Sequence, residues 1–158
     1  TEIVGRGFEK TLNGILIEVL NPSAPMFSDI NNDAIVLKVT DRNNSLLITS
    51  GIQTGAQGKL VNDKGINLTS DIMEAPYYGV GAGTSNIQIF LLSVRPKDVI
   101  ITGSFDETAQ NGGSRDPFRR TLNMTQYGIR WQEVYRNGTI RITMEDNGYG
   151  IKPLGSGQ

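Results

Sequence analysis

The sequence predicts an α/β domain built on a mixed β-sheet, and three observations carry that prediction. First, the runs 14–20 (GILIEVL), 34–39 (AIVLKV), 45–49 (SLLIT) and 98–102 (DVIIT) are short and almost continuously apolar. Strands of that kind are covered on both faces, unlike the alternating strands of a sheet with one wet face. Second, helix-like stretches separate the later strands, as parallel pairing with crossovers requires. Third, 158 residues with 37% hydrophobic and 20% charged content can bury one core.

Taken in order, residues 14–20 form a strand closed by Asn21-Pro22, and 21–33 are a polar, proline-bearing loop. Residues 34–39 and 45–49 form a hairpin across the turn-forming cluster Asp41-Arg42-Asn43-Asn44. Residues 52–61 have helical spacing weakened by Gly55 and Gly58. Residues 71–75 are a short strand that runs into Pro76-Tyr77-Tyr78-Gly79 and a glycine-rich loop to Gly83. Thr84 or Ser85 caps a helix over 86–94, with Ile87, Phe90, Leu91 and Val94 on its apolar side and Arg95-Pro96 as its stop. After the strand 98–102 and a polar loop, a helix starts at Asp116-Pro117 and carries Phe118, Leu122 and Tyr127. Finally, 129–135 is expected to pair with 139–145 across Asn137-Gly138, a strong two-residue turn signal. One domain over 1–152 and a flexible tail over 153–158 follow.

Composition narrows the chemistry. The chain has no histidine and no cysteine, so imidazole bases, thiolate nucleophiles, disulfides and the commonest zinc ligands are unavailable to it. The formal net charge of -1 supplies no long-range attraction for nucleic acid or an anionic membrane. No stretch approaches the ~20 apolar residues that span a bilayer. Gly79–Gly83 lacks the Gly-Lys-Ser/Thr ending of a phosphate loop, and no Ser-x-x-Lys occurs. The carboxylates Asp71, Glu74, Asp98 and Asp116 could form a glycosidase-type pair, but nothing in their spacing selects one.

Five segments, in order, resemble the second half of the metallo-β-lactamase-like domain of DNA-internalisation competence (ComEC-type) proteins. They are NNDAIVLKV (31–39), SLLITSGI (45–52), SDIMEAPYYG (70–79), FLLSVRPKDVIITGS (90–104) and RDPFRRTLNMTQYGIRWQEVYRNGTIRIT (115–143). The resemblance implies half of an αββα sandwich, a mixed sheet with helices on one face. It also implies a metal site whose ligands are missing here. The family's HxHxDH signature is absent. Its Thr-Gly-Asp turn reads Thr49-Ser50-Gly51, its Pro-His-His-Gly turn reads Pro76-Tyr77-Tyr78-Gly79, and its His-Pro element reads Asp116-Pro117. The degenerate site positions are thus Asn32, in the first segment, with Gly51, Tyr77, Tyr78 and Asp116. A di-metal hydrolase needs imidazoles and a bridging carboxylate to hold two cations about 3.5–4 Å apart. Glycine offers no donor atom, and a neutral phenol is a poor one at pH 7. The resemblance therefore implies a noncatalytic remnant with no cofactor, acting as a binding or self-association module. The alternative is the substrate-cleft half of a metal-dependent hydrolase whose metal-binding half lies outside this chain.

Two further expectations concern contacts. Tyr77, Tyr78, Arg115, Arg119 and Trp131, with Arg120 and Arg130 nearby in sequence, are candidate ligand-binding residues for a base, sugar or phosphate. A lone half-sandwich would also leave one apolar sheet face open, at a cost of about 25 cal/mol per Å². A homodimer, another protein chain or residues 1–30 are the expected covers.

Overall fold

The computed structural model describes residues 4–80, 88–103, 116–124 and 128–155. Its framework is a seven-stranded mixed sheet in which each strand's neighbour in space is also its neighbour in sequence. The strands are β1 (Glu9–Leu12), β2 (Ile15–Asn21), β3 (Val36–Asp41), β4 (Asn44–Ile48), β5 (Ile72–Glu74), β6 (Asp98–Ile101) and β7 (Arg130–Glu133). From β1 to β4 they pair antiparallel, through two-residue turns after β1 and β3 and the longer segment 22–35 after β2. From β4 to β7 they pair parallel. The parallel steps are crossed by α1 (Thr54–Asn62), α2 (Gln88–Val94) and α3 (Asp116–Met124). The three crossovers run in one direction along the sheet, and all three helices pack into one core cluster on the same face.

The core lies on that helix-bearing face. Leu47, Met73, Val99 and Ile101 from the strands meet Leu60, Phe90, Val94 and Leu122 from the helices, each at most 3% exposed. Register then assigns the faces, because successive side chains alternate. Lys38, paired with Leu47, joins the helix side. There its ammonium donates to the Asn67 carbonyl at 2.9 Å. Burial pulls its pKa down, against the opposing pull of Glu18 and Asp71.

Helix α1 shows how local signals were combined. Its own N-cap, Gln53, makes no side-chain cap. The acceptor comes instead from Asn32, in a single 3₁₀ turn (Ile30–Asp33). Asn32 Oδ1 receives the backbone N–H groups of Gln53 at 3.1 Å and Ala56 at 2.9 Å. Gly55, a weak residue by helix propensity, suits this close contact. A Cβ there would lie 3.2 Å from Asn32 Nδ2 and 3.2 Å from Phe27.

Several expectations are corrected. Residues 9–12, with no strong apolar signal, form the edge strand β1, and residues 15–21 pair between β1 and β3. The segment over 9–21 therefore widens the sheet and does not fold across its open face. The C-terminal hairpin is also different. Residues 130–133 pair with β6 in parallel, and a single helical turn, α4 (Val134–Asn137), follows. The strand β8 (Ile140–Glu145) pairs with β9 (Gly148–Pro153) across Asp146-Asn147. The Asn137-Gly138 signal was overridden by tertiary pairing: Glu133 is drawn to a buried ion pair at the end of β7, and Ile129 packs into the core. β9 extends one residue into the expected tail, and Leu154 N still donates to the Thr139 carbonyl at 2.7 Å. The predicted caps Thr84 and Ser85, with Ile87 and Tyr127, lie outside the described residues. No helix among the described residues is long and apolar enough to cross a membrane.

A carboxylate network ties the N-terminal ends of the parallel strands. Asp71 receives Ser45 N at 2.9 Å, Ser45 Oγ at 3.0 Å and Lys97 Nζ at 2.8 Å. Burial opposes its ionisation, but these bonds outweigh burial and hold the carboxyl below its usual range. A depressed carboxylate pKa means the folded chain binds fewer protons than the unfolded one at acid pH. Its stabilisation is complete above the unfolded value, about 3.9, and is lost as pH falls through the folded value. Denaturant titrations below about pH 4 should therefore show stability rising with pH in the wild type and a shallower slope in Asp71→Asn. Equal slopes would refute the assignment.

Candidate functional site

The C-terminal ends of the parallel strands, where open α/β sheets bind ligands, bring together three of the positions named from the sequence. Thr49-Ser50-Gly51 leaves β4, and Pro76–Gly79 leaves β5 as a 3₁₀ turn. Tyr77 N donates to the Ser50 carbonyl at 3.0 Å, so the two turns are stitched backbone to backbone. Ser50, Tyr77 and Tyr78 all adopt left-handed backbone, with φ of 50°, 47° and 58°. Outside glycine this conformation costs roughly 1 kcal/mol or more per residue. It turns both tyrosines to the rim, half-buried, with ring centroids 5.9 Å apart and planes tilted by 38°. Gly79, at φ 72°, cannot be replaced cheaply, since a Cβ would press on Ile101 at 3.1 Å and Phe118 at 3.2 Å.

The residues at this rim do not fit a metal. Gly51 has no donor, and the nearest side-chain atom to its missing Cβ is Asn31 Oδ1 at 3.7 Å. Among the described residues no group of three histidine, cysteine, aspartate or glutamate side chains is placed to hold a cation. What joins the strand ends is Glu74. Its Oε2 accepts from Thr49 N at 3.2 Å and Ser50 N at 2.9 Å, and its Oε1 accepts from Thr102 Oγ1 at 2.9 Å. Thr49 Oγ1 returns a bond to the Glu74 carbonyl at 2.9 Å. One carboxylate thus links β4, β5 and the exit of β6.

The remaining candidates fall elsewhere. Asn32 is buried as the cap of α1. Asp116 opens α3, and Arg115 lies outside the described residues. Of the basic and aromatic group near the last helix, Arg119 and Trp131 come together and Arg130 lies apart from them. Arg119 donates from Nε to Glu133 Oε1 at 2.6 Å and sits 6.0 Å from the Trp131 ring. Trp131 Nε1 donates to Asn123 at 3.0 Å. Arg130 is at the other end of β7, bonded to Asp98 through Nε at 2.8 Å and a terminal nitrogen at 2.6 Å. Tyr149 of β9 also donates to Asp98, at 2.6 Å. Burial and then that bond push the Tyr149 phenol well above its ordinary pKa. Asp71 and Asp98 sit side by side at the starts of β5 and β6, the first bonded to Ser45 and Lys97 and the second to Arg130 and Tyr149, whereas Glu74 lies at the other end of β5 among its own donors.

Sequence reasoning missed Glu133. Its side chain is 0% exposed, and it receives Arg119 on one oxygen. Arg136 Nε lies 2.9 Å from the other oxygen but off the hydrogen-bonding direction. No local signal marks an acid between Gln132 and Val134 as buried.

The chain matches none of the protein-family models and none of the curated protein sequences with which it was compared.

The second face of the sheet is the other feature with functional content. Ile15, Ile17, Leu37, Val39, Leu46 and Ile48 point away from the helices and are half-buried, whereas Val19, Ile72 and Ile100 on the same face are buried, as are Val36 and Leu47 on the helix side. At its β6 side the face meets the β8–β9 hairpin, pinned by Tyr149 on Asp98 and by Asn44 Nδ2 on the Glu145 carbonyl at 2.9 Å.

Proposed function

We propose that this chain is a noncatalytic remnant of a metallo-β-lactamase-type domain that works by binding through the second face of its sheet. The observation that carries the proposal is that face: six half-exposed aliphatic side chains on adjoining strands, opposite a fully packed helix layer. Contiguous apolar surface of this kind marks an interaction site in a folded chain. The noncatalytic half of the proposal is supported by the residues at the strand ends. The ligand positions of the resembled family hold Gly51, Tyr77 and Tyr78, and the N–H groups of the first turn are already taken by Glu74.

The test is metal loading. After incubation with zinc or manganese and dialysis, the purified chain should retain far less than one ion per molecule and hydrolyse neither phosphodiesters nor esters. Stoichiometric metal with hydrolysis would overturn the proposal.

A second reading has one observation in its favour. Three left-handed, non-glycine residues (Ser50, Tyr77 and Tyr78) gather at the strand ends, and strained backbone clusters at working sites. In that reading the chain shapes the substrate cleft of a hydrolase whose metals are held by another half. Quenching of tyrosine fluorescence by a nucleotide or phosphate ester, lost in Tyr77→Ala and Tyr78→Ala, would favour it.

A further inference from the structure

We infer that a cleft at the N-terminal ends of β6 and β7 binds a small organic anion, one with an apolar body and a single carboxylate or phosphate head. The site is separate from the second sheet face and does not depend on what covers that face.

The cleft opens between the turn that joins α2 to β6 and the segment that enters β7. Its volume is about 640 Å³, within the roughly 300–1,000 Å³ of small-molecule sites. Leu91, Leu92, Pro96 and Ile129 supply the apolar walls. Leu92 is half-buried and the other three are buried. Three exposed cations complete the lining: Arg95, Lys97 and Arg130. Among the described residues no carboxylate lines the cleft. Apolar walls with a few converging polar groups are the usual make-up of a ligand site.

Charge decides the sign of the ligand. Lys97 is matched by Asp71 at 2.8 Å, and Arg130 by Asp98 at 2.6 Å. The two carboxylates lie inside their partners, with side chains 18% and 7% exposed against 67% for Lys97 and 71% for Arg130. The side turned to solvent is therefore cationic. Arg95 is the surplus charge: among the described residues its guanidinium has neither an ion pair nor a hydrogen bond. Such a group presents a fork of N–H donors that fits a carboxylate or a phosphate. A head group on Arg95 lays the apolar body against Leu92 and Ile129. The carbonyls of Leu91 and Val94 at the end of α2, which would repel an anion, already accept from Arg95 N at 2.9 Å and Ser70 N at 3.0 Å.

The backbone adds an independent observation. Arg95 closes α2 with a φ of 54°. Helices commonly end on a left-handed residue, and that residue is usually glycine. A helix stop alone is better served by glycine, so what arginine contributes here is its side chain. Strained non-glycine backbone of this kind clusters at ligand sites.

Calorimetric titration with decanoate, decyl phosphate and decanol tests the inference. The anions should bind one per chain with a Kd of about 0.1 mM, and the tighter of the two identifies the head group. Decanol should bind at least about tenfold more weakly, for want of a charge-assisted bond. Arg95→Gly should weaken both anions by a similar factor and lose no stability to urea, because glycine relieves the left-handed turn. Arg95→Asn, which also tolerates that backbone, should behave likewise. Val39→Lys, on the second sheet face, should bind the anions as the wild type does. Absence of binding, decanol as tight as decanoate, or undiminished affinity in Arg95→Gly would each overturn the inference. Marked destabilisation of both Arg95 variants would make that residue a packing element and remove its role. Binding lost in Val39→Lys would put the anion on the sheet face, which sinks the cleft and leaves the reading of that face intact.

Discussion

Replacing Arg119 with alanine should destabilise the fold by about 3 kcal/mol or more, the usual cost of stranding a buried charge. The Glu133 side chain is completely buried, and Arg119 supplies both its hydrogen bond and its closest positive charge. Arg136, the other cation, is 60% exposed and contacts Oε2 without hydrogen-bonding it. It cannot take over. Arg136→Ala should therefore cost under about 1 kcal/mol, as exposed ion pairs do. Urea denaturation of the two variants checks the asymmetry, and similar losses would show that Glu133 is held by something else. Arg119→Ala/Glu133→Gln should recover much of the loss, because a neutral amide removes the unpaired charge.

Glu74→Ala should cost about 3 kcal/mol, since it removes a charged acceptor from three donors, two of them backbone N–H groups. Glu74→Gln keeps one acceptor oxygen for Thr49 and Ser50 and should cost about 1 kcal/mol. The effect should be local as well as global. Amide exchange at Thr49 and Ser50 should quicken in both variants, and more in the alanine one. Unchanged exchange there would mean that Glu74 does not tie the strand ends. In the wild type this clamp occupies the ground next to Gly51 and Tyr77, so Gly51→Asp alone would place a carboxylate beside one already fully bonded.

The fold was legible where side-chain pattern and burial coincide. The runs that became β3, β4 and β6 are apolar at consecutive positions because each face of the sheet is apolar, and that is visible without a structure. Phe90, Leu91 and Val94 marked the buried side of α2 for the same reason. Elements that depend on distant partners were misread. β1 has the sequence EKTL and is exposed throughout, so only its pairing with β2 makes it a strand. β9 carries two glycines and a proline, which propensity counts against. The stretch around Asn137-Gly138 satisfied a local turn rule and lost to parallel pairing with a strand about thirty residues earlier.

The sequence singles out Gly51, Tyr77 and Tyr78, but nothing in it says that Ser50 and Tyr77 meet backbone to backbone. Nothing in the sequence says that Glu74 bonds to Thr49, 25 residues away, or that Arg119 and Arg130 serve opposite ends of one strand. Those facts come from the sheet.

The sequential strand order has a consequence for how this scaffold can change. Every parallel crossover leaves the sheet at one rim, where the turns after β4, β5 and β6 emerge, and returns beneath it. Added or altered residues at that rim lengthen an exit turn without breaking a ladder or a packed helix. The opposite end has no such latitude, because Asp71 and Asp98 bind neighbouring strands and the hairpin there. Innovation is therefore channelled to a single edge of the molecule, while the aliphatic surface of β2, β3 and β4 is left unchanged through many rewritings of that edge.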